Sequence, residues 1–285
     1  MAVLTVIEAV REALAEEMRR DPRVFILGED IGKRGGVFLA TKDLMEEFGS
    51  NRVIDTPLAE SSIAGIAMGA AMQGMRPIAE IQFADFIWPT MNQVVGEAAR
   101  ARYGTMGSVN VPMVIRCPSG GHVRGGLFHS QSVEAYFAHT PGLKVIAPST
   151  PYDVKGLLKA AIRDDDPVLF LEHKRTYRSV RGEVPEEDYV LPIGSADIKR
   201  AGSDVTVVTY GLTVHYSLQA ADAISEEGVE TEVIDLRTLR PLDDRTIIES
   251  VRKTGRVLIV HEDNRTGGIG AELSARIAEF AFTHL

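Results

Sequence analysis

The chain has 285 residues, 45% of them apolar, which is enough for one large or two medium domains around a substantial buried core. Its 31 basic and 40 acidic residues leave a net charge of −9, and no like-charged block is long enough to serve as a nucleic-acid arm or a polybasic membrane anchor. A single cysteine, Cys117, excludes an intrachain disulfide framework and a cysteine-based zinc site, and is expected to fill core space.

The N-terminus, Met1-Ala-Val-Leu-Thr-Val-Ile, runs directly into an amphipathic pattern without the features of a signal peptide, and no apolar run reaches membrane-spanning length. A cytoplasmic protein is expected. Thr5 and Glu8 form a capping-box pattern, and Ile7, Val10, Leu14 and Met18 recur at helical spacing until Asp21-Pro22 ends it. Next comes the short apolar run 24–27, followed by Gly28-Glu-Asp-Ile-Gly32, which predicts a buried strand with two acids at its carboxyl end. Further strands are expected at 77–81, 112–117, 144–147 and 168–172, with helices at 91–103 and 152–163 between them. Such alternation implies a mainly parallel sheet covered by helices on both faces, whose ligands sit beyond the carboxyl ends of the strands. Glu29, Glu60 and the loop before His129 would gather there.

Residues 177–202 are polar and interrupted by prolines, which places a domain boundary near Pro192, between residues 1–191 and 192–285. A second, smaller α/β unit of three strands follows, with strands at 205–210, 231–236 and 257–260 and helices at 213–227, 243–253 and 270–280. Apolar positions continue to Phe282 and Leu285 without a polar tail to close the domain off.

Four segments could carry chemistry. The run Asp55-Thr-Pro-Leu-Ala-Glu60 delivers a carboxylate to the start of a helix rich in glycine and alanine, built for close packing. Glu60 there either complements the helix dipole or, near low-dielectric surroundings, shares a proton with a ligand. The glycine-rich loop Ser119-Gly-Gly-His-Val-Arg-Gly-Gly-Leu-Phe-His129-Ser-Gln131 lacks the lysine and spacing of a P-loop. His129 at its end is an acid–base candidate or a hydrogen-bonded structural histidine, while His122 suits a solvated position. Phe83, Phe86 and Trp88 crowd one strand-to-helix connection, where they could fill core or stack a flat heterocycle. Gly267-Gly-Ile-Gly270 fits no nucleotide fingerprint and suits a helix N-terminal turn.

In this order, Gly28 to Gly32, Asp55 to Glu60, Glu80-Ile-Gln-Phe-Ala-Asp-Phe86, Gly126-Leu-Phe-His-Ser-Gln131, Pro148 to Asp153, Val233 to Thr238 and Lys253 to Arg256 resemble the beta subunit of the thiamine-diphosphate-dependent decarboxylating component of 2-oxo acid dehydrogenases. Gln82 to Asp85 and His129 to Glu134 lie closer to the branched-chain (2-oxoisovalerate) type than to the pyruvate type. The resemblance implies a transketolase-like pyrimidine-binding domain and a transketolase C-terminal-like domain, the latter truncated at its end because family members continue past the helix at 270–280. It also implies that Glu60 hydrogen-bonds the cofactor's aminopyrimidine ring nitrogen and favours the tautomer that activates the thiazolium carbon. By the same resemblance Phe86 packs on the pyrimidine, Leu58 lines its pocket through backbone, Glu29 is a nearby acid, and His129 handles protons during decarboxylation or acyl transfer to lipoamide. Asp164 and Asp166 match positions of a potassium site built on backbone carbonyls. The chain has no Gly-Asp-Gly segment, the start of the family's magnesium and diphosphate motif. The resemblance therefore implies an alpha subunit that holds magnesium, a heterotetramer of two alpha and two beta chains, and a lipoyl acyltransferase partner. Other readings are the same chemistry on pyruvate or acetoin, or a non-catalytic truncated beta chain.

Overall fold

A computed structural model describes all residues, 1–285. The first helix, Val6–Arg20, begins at Thr5 with the expected capping box, the Thr5 hydroxyl accepting from the Glu8 amide and the Glu8 carboxylate accepting from Thr5. The central sheet has seven strands in the order Thr238–Arg240, Lys144–Ile146, Val168–His173, Val114–Ser119, Arg76–Glu80, Val24–Gly28 and Val53–Asp55. All neighbours in it are parallel except the first pair.

Its strands read as continuous apolar runs because alternate residues enter two cores. Ile26, Ile78, Val114 and Phe170 face the helices Val6–Arg20 and Pro151–Arg163. Leu27, Ala79, Ile115 and Leu169 face the opposite core, shared with Ile63 and Ala67 of the helix Glu60–Met72 and with Leu236, Ile247 and Leu273 of the second half. Cys117 is buried in that second core, and burial pushes its thiol far above the usual range, so it is a packing residue.

Three elements differ from the sequence expectations. The helix expected over 91–103 opens as a π-helical stretch, Asn92–Ala98, containing Gly96, and becomes α-helical only at Ala99–Gly104. The second domain's sheet has four strands rather than three, ordered Val257–Val260, Val205–Thr209, Thr231–Asp235 and Asp197–Arg200. The added strand is antiparallel, polar and at an edge, so it has no apolar alternation to reveal it. Thr238–Arg240, finally, crosses back from the second half to pair antiparallel with Lys144–Ile146 of the first.

In the middle of the large sheet, Arg116 is fully buried and bonds both Glu80 (2.6 Å) and Glu172 (2.6 and 2.7 Å), one on each neighbouring strand. The Tyr177 hydroxyl donates to Glu172 at 2.5 Å. Removing the guanidinium alone strands two buried carboxylates. Arg116→Met is therefore expected to lower unfolding free energy by about 3–5 kcal/mol, measured by urea denaturation.

The two halves also meet through Glu134, which accepts a 2.8 Å hydrogen bond from the Tyr210 hydroxyl. Burial raises the Glu134 carboxyl from 4.5 to about 7. The folded state therefore binds this proton more tightly than the unfolded chain. Stability is greatest below the unfolded value and falls as pH rises through 4.5 toward 7. Glu134→Gln, which keeps the acceptor without the charge, should escape this loss. Its melting temperature relative to the parent should rise between about pH 5 and about pH 8, corresponding to roughly 3 kcal/mol.

Candidate active site

Four consecutive strands of the large sheet deliver the site, because a parallel sheet places all its carboxyl ends on one edge. In spatial order, the segment after Val114–Ser119 carries His129, that after Arg76–Glu80 carries Phe83 and Phe86, that after Val24–Gly28 carries Glu29, and that after Val53–Asp55 carries Glu60. Sequence distance thus collapses into one row.

Glu60 is half-buried in the first turn of the helix Glu60–Met72. Glu29 is also half-buried, and its carboxyl is raised by burial and then by the negative charges of Asp30 and Glu60. The two acids are therefore electrostatically coupled. Gly32 allows the chain after Glu29 to close on the Glu60 segment, since its amide donates to Asp55 Oδ1 at 2.6 Å and a Cβ there would lie 2.4 Å from Asp55 Oδ2. Leu58, between Asp55 and Glu60, is 71% exposed and forms an open apolar wall.

His129 ends a short 3-10 turn, Leu127–His129. Its ring meets Phe83 edge-to-face at 4.8 Å between centroids and Phe86 at 5.5 Å. Nδ1 lies 3.1 Å from the Gly125 carbonyl oxygen, which can only accept. Nδ1 therefore carries the proton in the neutral ring, and Nε2 is left as the free nitrogen. His122 is exposed, in keeping with a solvated position.

The loop bearing His129 is tethered from several sides that the sequence did not reveal. At its base the Gly120 amide donates to the Gln131 carbonyl at 3.0 Å. Gly120 has φ +77°, and a Cβ there would lie 2.1 Å from His173 Nε2, so glycine is required. Glu262, from the second domain, accepts from the Gly121 amide at 2.7 Å and from His173 Nε2 at 2.5 Å. Burial alone would push the Glu262 carboxyl up, but His173 and the Gly121 amide hold it down at about 2. Asp85, between the two phenylalanines, accepts from the amides of Ser130 (3.1 Å) and Gln131 (3.2 Å). Asp85 carried a signal, since it stands after a strand and between two phenylalanines already of interest. Glu262 carried none, because its role arises only from domain packing.

Asp164 and Asp166 lie at the opposite, amino-terminal edge of the sheet, before the strand Val168–His173. Lys144 bonds both Asp164 carboxylate oxygens at 2.7 Å and Asp166 at 3.1 Å, and Arg102 pairs with Asp166 at 2.7 Å. Arg76 donates to the Asp164 carbonyl at 2.7 Å and the Ile162 carbonyl at 3.0 Å. Arg76 thus already donates to the Asp164 carbonyl oxygen to which the resemblance assigns potassium.

Residues 2–180 match the family model of the transketolase pyrimidine binding domain, and residues 194–285 match that of the transketolase C-terminal domain. The chain is 60% identical over 279 residues to the 2-oxoisovalerate dehydrogenase subunit beta of Bacillus subtilis (strain 168), covering 98% of this chain and 85% of that protein. It is 50% identical over 285 residues to the pyruvate dehydrogenase E1 component subunit beta of the same organism, covering 100% and 88%. Among solved structures, a split gene transketolase captured as an inactive beta4 tetramer shares the fold, with a TM-score of 0.81 at 24% identity over 98% of this chain and 86% of that one. No helix is long and apolar enough to cross a membrane. With both transketolase domains in sequence and close relatives along nearly its whole length, the chain belongs to the transketolase-like beta subunits of the thiamine-diphosphate-dependent 2-oxo acid dehydrogenases.

Proposed function

We propose that this chain is the beta half of a decarboxylating component that acts on a branched-chain 2-oxo acid and passes the acyl group to lipoamide on an acyltransferase. The observation that carries this reading is the row of Glu60, Glu29, Phe86 and His129 along adjacent strand ends. The higher identity to the 2-oxoisovalerate than to the pyruvate relative favours the branched-chain substrate.

The row suits an aminopyrimidine. It offers a half-buried carboxylate, a second acid whose carboxyl is raised by burial, aromatic edges and the open wall at Leu58. When bound, thiamine diphosphate supplies the electron sink for loss of carbon dioxide from the substrate. Glu60 faces the pyrimidine ring nitrogen as its hydrogen-bond partner, and Glu29 stands on the neighbouring strand end as a second acid. His129 presents Nε2 as a proton acceptor or donor in decarboxylation and acyl transfer, with Nδ1 committed to Gly125. Phe83 and Phe86 orient the imidazole and keep water from its flanks. Lacking a Gly-Asp-Gly segment, the chain leaves magnesium and the diphosphate to an alpha subunit, and the working assembly is a heterotetramer of two alpha and two beta chains.

Glu60→Ala, in a verified alpha–beta complex loaded with thiamine diphosphate, should slow exchange of the thiazolium C2 proton by at least about a hundredfold, measured by NMR after quenching. Normal exchange would remove the role given to Glu60. In a substrate panel with an artificial electron acceptor, kcat/KM should be greatest for branched-chain 2-oxo acids. A preference for pyruvate would move the chain to the pyruvate type.

A further inference from the structure

The turn Ala84–Phe86 and the phenylalanine before it act on His129 in two ways at once. Phe83 and Phe86 grip its ring, while Asp85 Oδ1 takes the amides of the two residues that follow it. Asp85 is 6% exposed, and its second carboxylate oxygen is buried without a hydrogen-bond partner. Lys174 is 5% exposed, and its ammonium is likewise buried without a hydrogen-bond partner. It stands 5.5 Å over the Phe83 ring centroid, on the turn that also holds Asp85. Burial pushes the Lys174 ammonium down, and the charge of Asp85 is the first influence opposing it. Each buried group lies in the other's field, which offsets part of its desolvation cost.

We infer that Asp85 is the positioning residue of the His129 loop, with the buried Lys174 side chain over Phe83 as its electrostatic support. This inference rests on the catalytic part given to His129 above. The loop needs such an anchor. Residues 122–128 are exposed, glycines stand at 120, 121, 125 and 126, and the tether from Glu262 is at the far end, at Gly121. Two amide bonds next to His129 set where its imidazole begins, and the aromatic pair sets where it points. Asp85 does not act on substrate itself. It works by confining Nε2 to one place.

The test uses Asp85→Asn and Lys174→Met in the assembled alpha–beta complex, each alone and each combined with His129→Ala. For Asp85→Asn, amide hydrogen exchange at Ser130 and Gln131 should accelerate at least about tenfold. Lipoamide-dependent kcat should fall on the order of tenfold to a hundredfold, with KM for the 2-oxo acid changed by less than about twofold. Thiazolium C2 proton exchange, which reports Glu60, should stay at the parent rate. Lys174→Met should move the same quantities in the same direction. In the His129→Ala background neither substitution should lower turnover further, since both act through His129. Unchanged amide exchange, or equal losses with and without His129, would overturn the inference. Were His129→Ala alone to leave turnover intact, the part given to His129 would fall, and unaltered or accelerated exchange at Ser130 and Gln131 would still decide whether Asp85 holds the loop.

Discussion

A single guanidinium governs how this molecule is put together. Arg116 lies fully buried between Glu80 and Glu172, on the three central strands of a parallel sheet where every other position invites an aliphatic side chain. Such a cluster contributes little net stability over well-packed apolar residues, because desolvation consumes most of the Coulombic gain. Its value lies in uniqueness. A slip of one residue would turn these charges into the opposite core and leave them unpaired, so the cluster fixes the register on which the strand ends align. It also reaches the active site. Tyr177 donates to Glu172 and packs on Phe38 at 5.3 Å, Phe38 packs on Phe83 at 5.4 Å, and Phe83 meets the His129 ring. An unbroken line of contacts runs from the middle of the sheet to the imidazole.

Much of this was legible in the sequence, for definite reasons. Long apolar runs such as Val24–Gly28 and Val168–His173 announce strands buried on both faces, and the Thr5–Glu8 capping box announces the first helix. Glu60, Glu29 and His129 could be placed on one edge because parallel topology alone sends every strand's carboxyl end the same way. What escaped were features decided by tertiary packing. Asp197–Arg200 became a strand by pairing with Thr231–Asp235, without a pattern of its own. Asp85 was passed over among aromatics whose bulk attracted notice, although the carboxylate holds more of the loop than either ring. Around Asp164 and Asp166, the bonds from Lys144, Arg76 and Arg102 come from residues distant in sequence.

The division of labour between the halves follows from the same geometry. In the proposed site the first domain supplies the acids and the imidazole. The second domain shapes that site, since Glu262 holds the Gly121 amide and His173, while Tyr210 covers Glu134 just beyond the His129 segment. The glycine-rich loop thus spans a joint, with one end fixed by each domain. Any shift of the second domain relative to the first would be felt at the histidine through bonds of ordinary length.

The strand Thr238–Arg240 gives the large sheet a further property. Because this segment comes from the second half and pairs with Lys144–Ile146, the outer edge of the first domain is closed by its own chain. The opposite edge is Val53–Asp55, only three residues long and ending in a charge. Neither side offers an extended row of free backbone groups on which a foreign strand could dock. The second domain is in this sense a tethered guard against aggregation. A fragment ending in the polar connection near Pro192 would keep most of the first core yet bare the Lys144–Ile146 edge, and would be prone to stack strand to strand with its own copies.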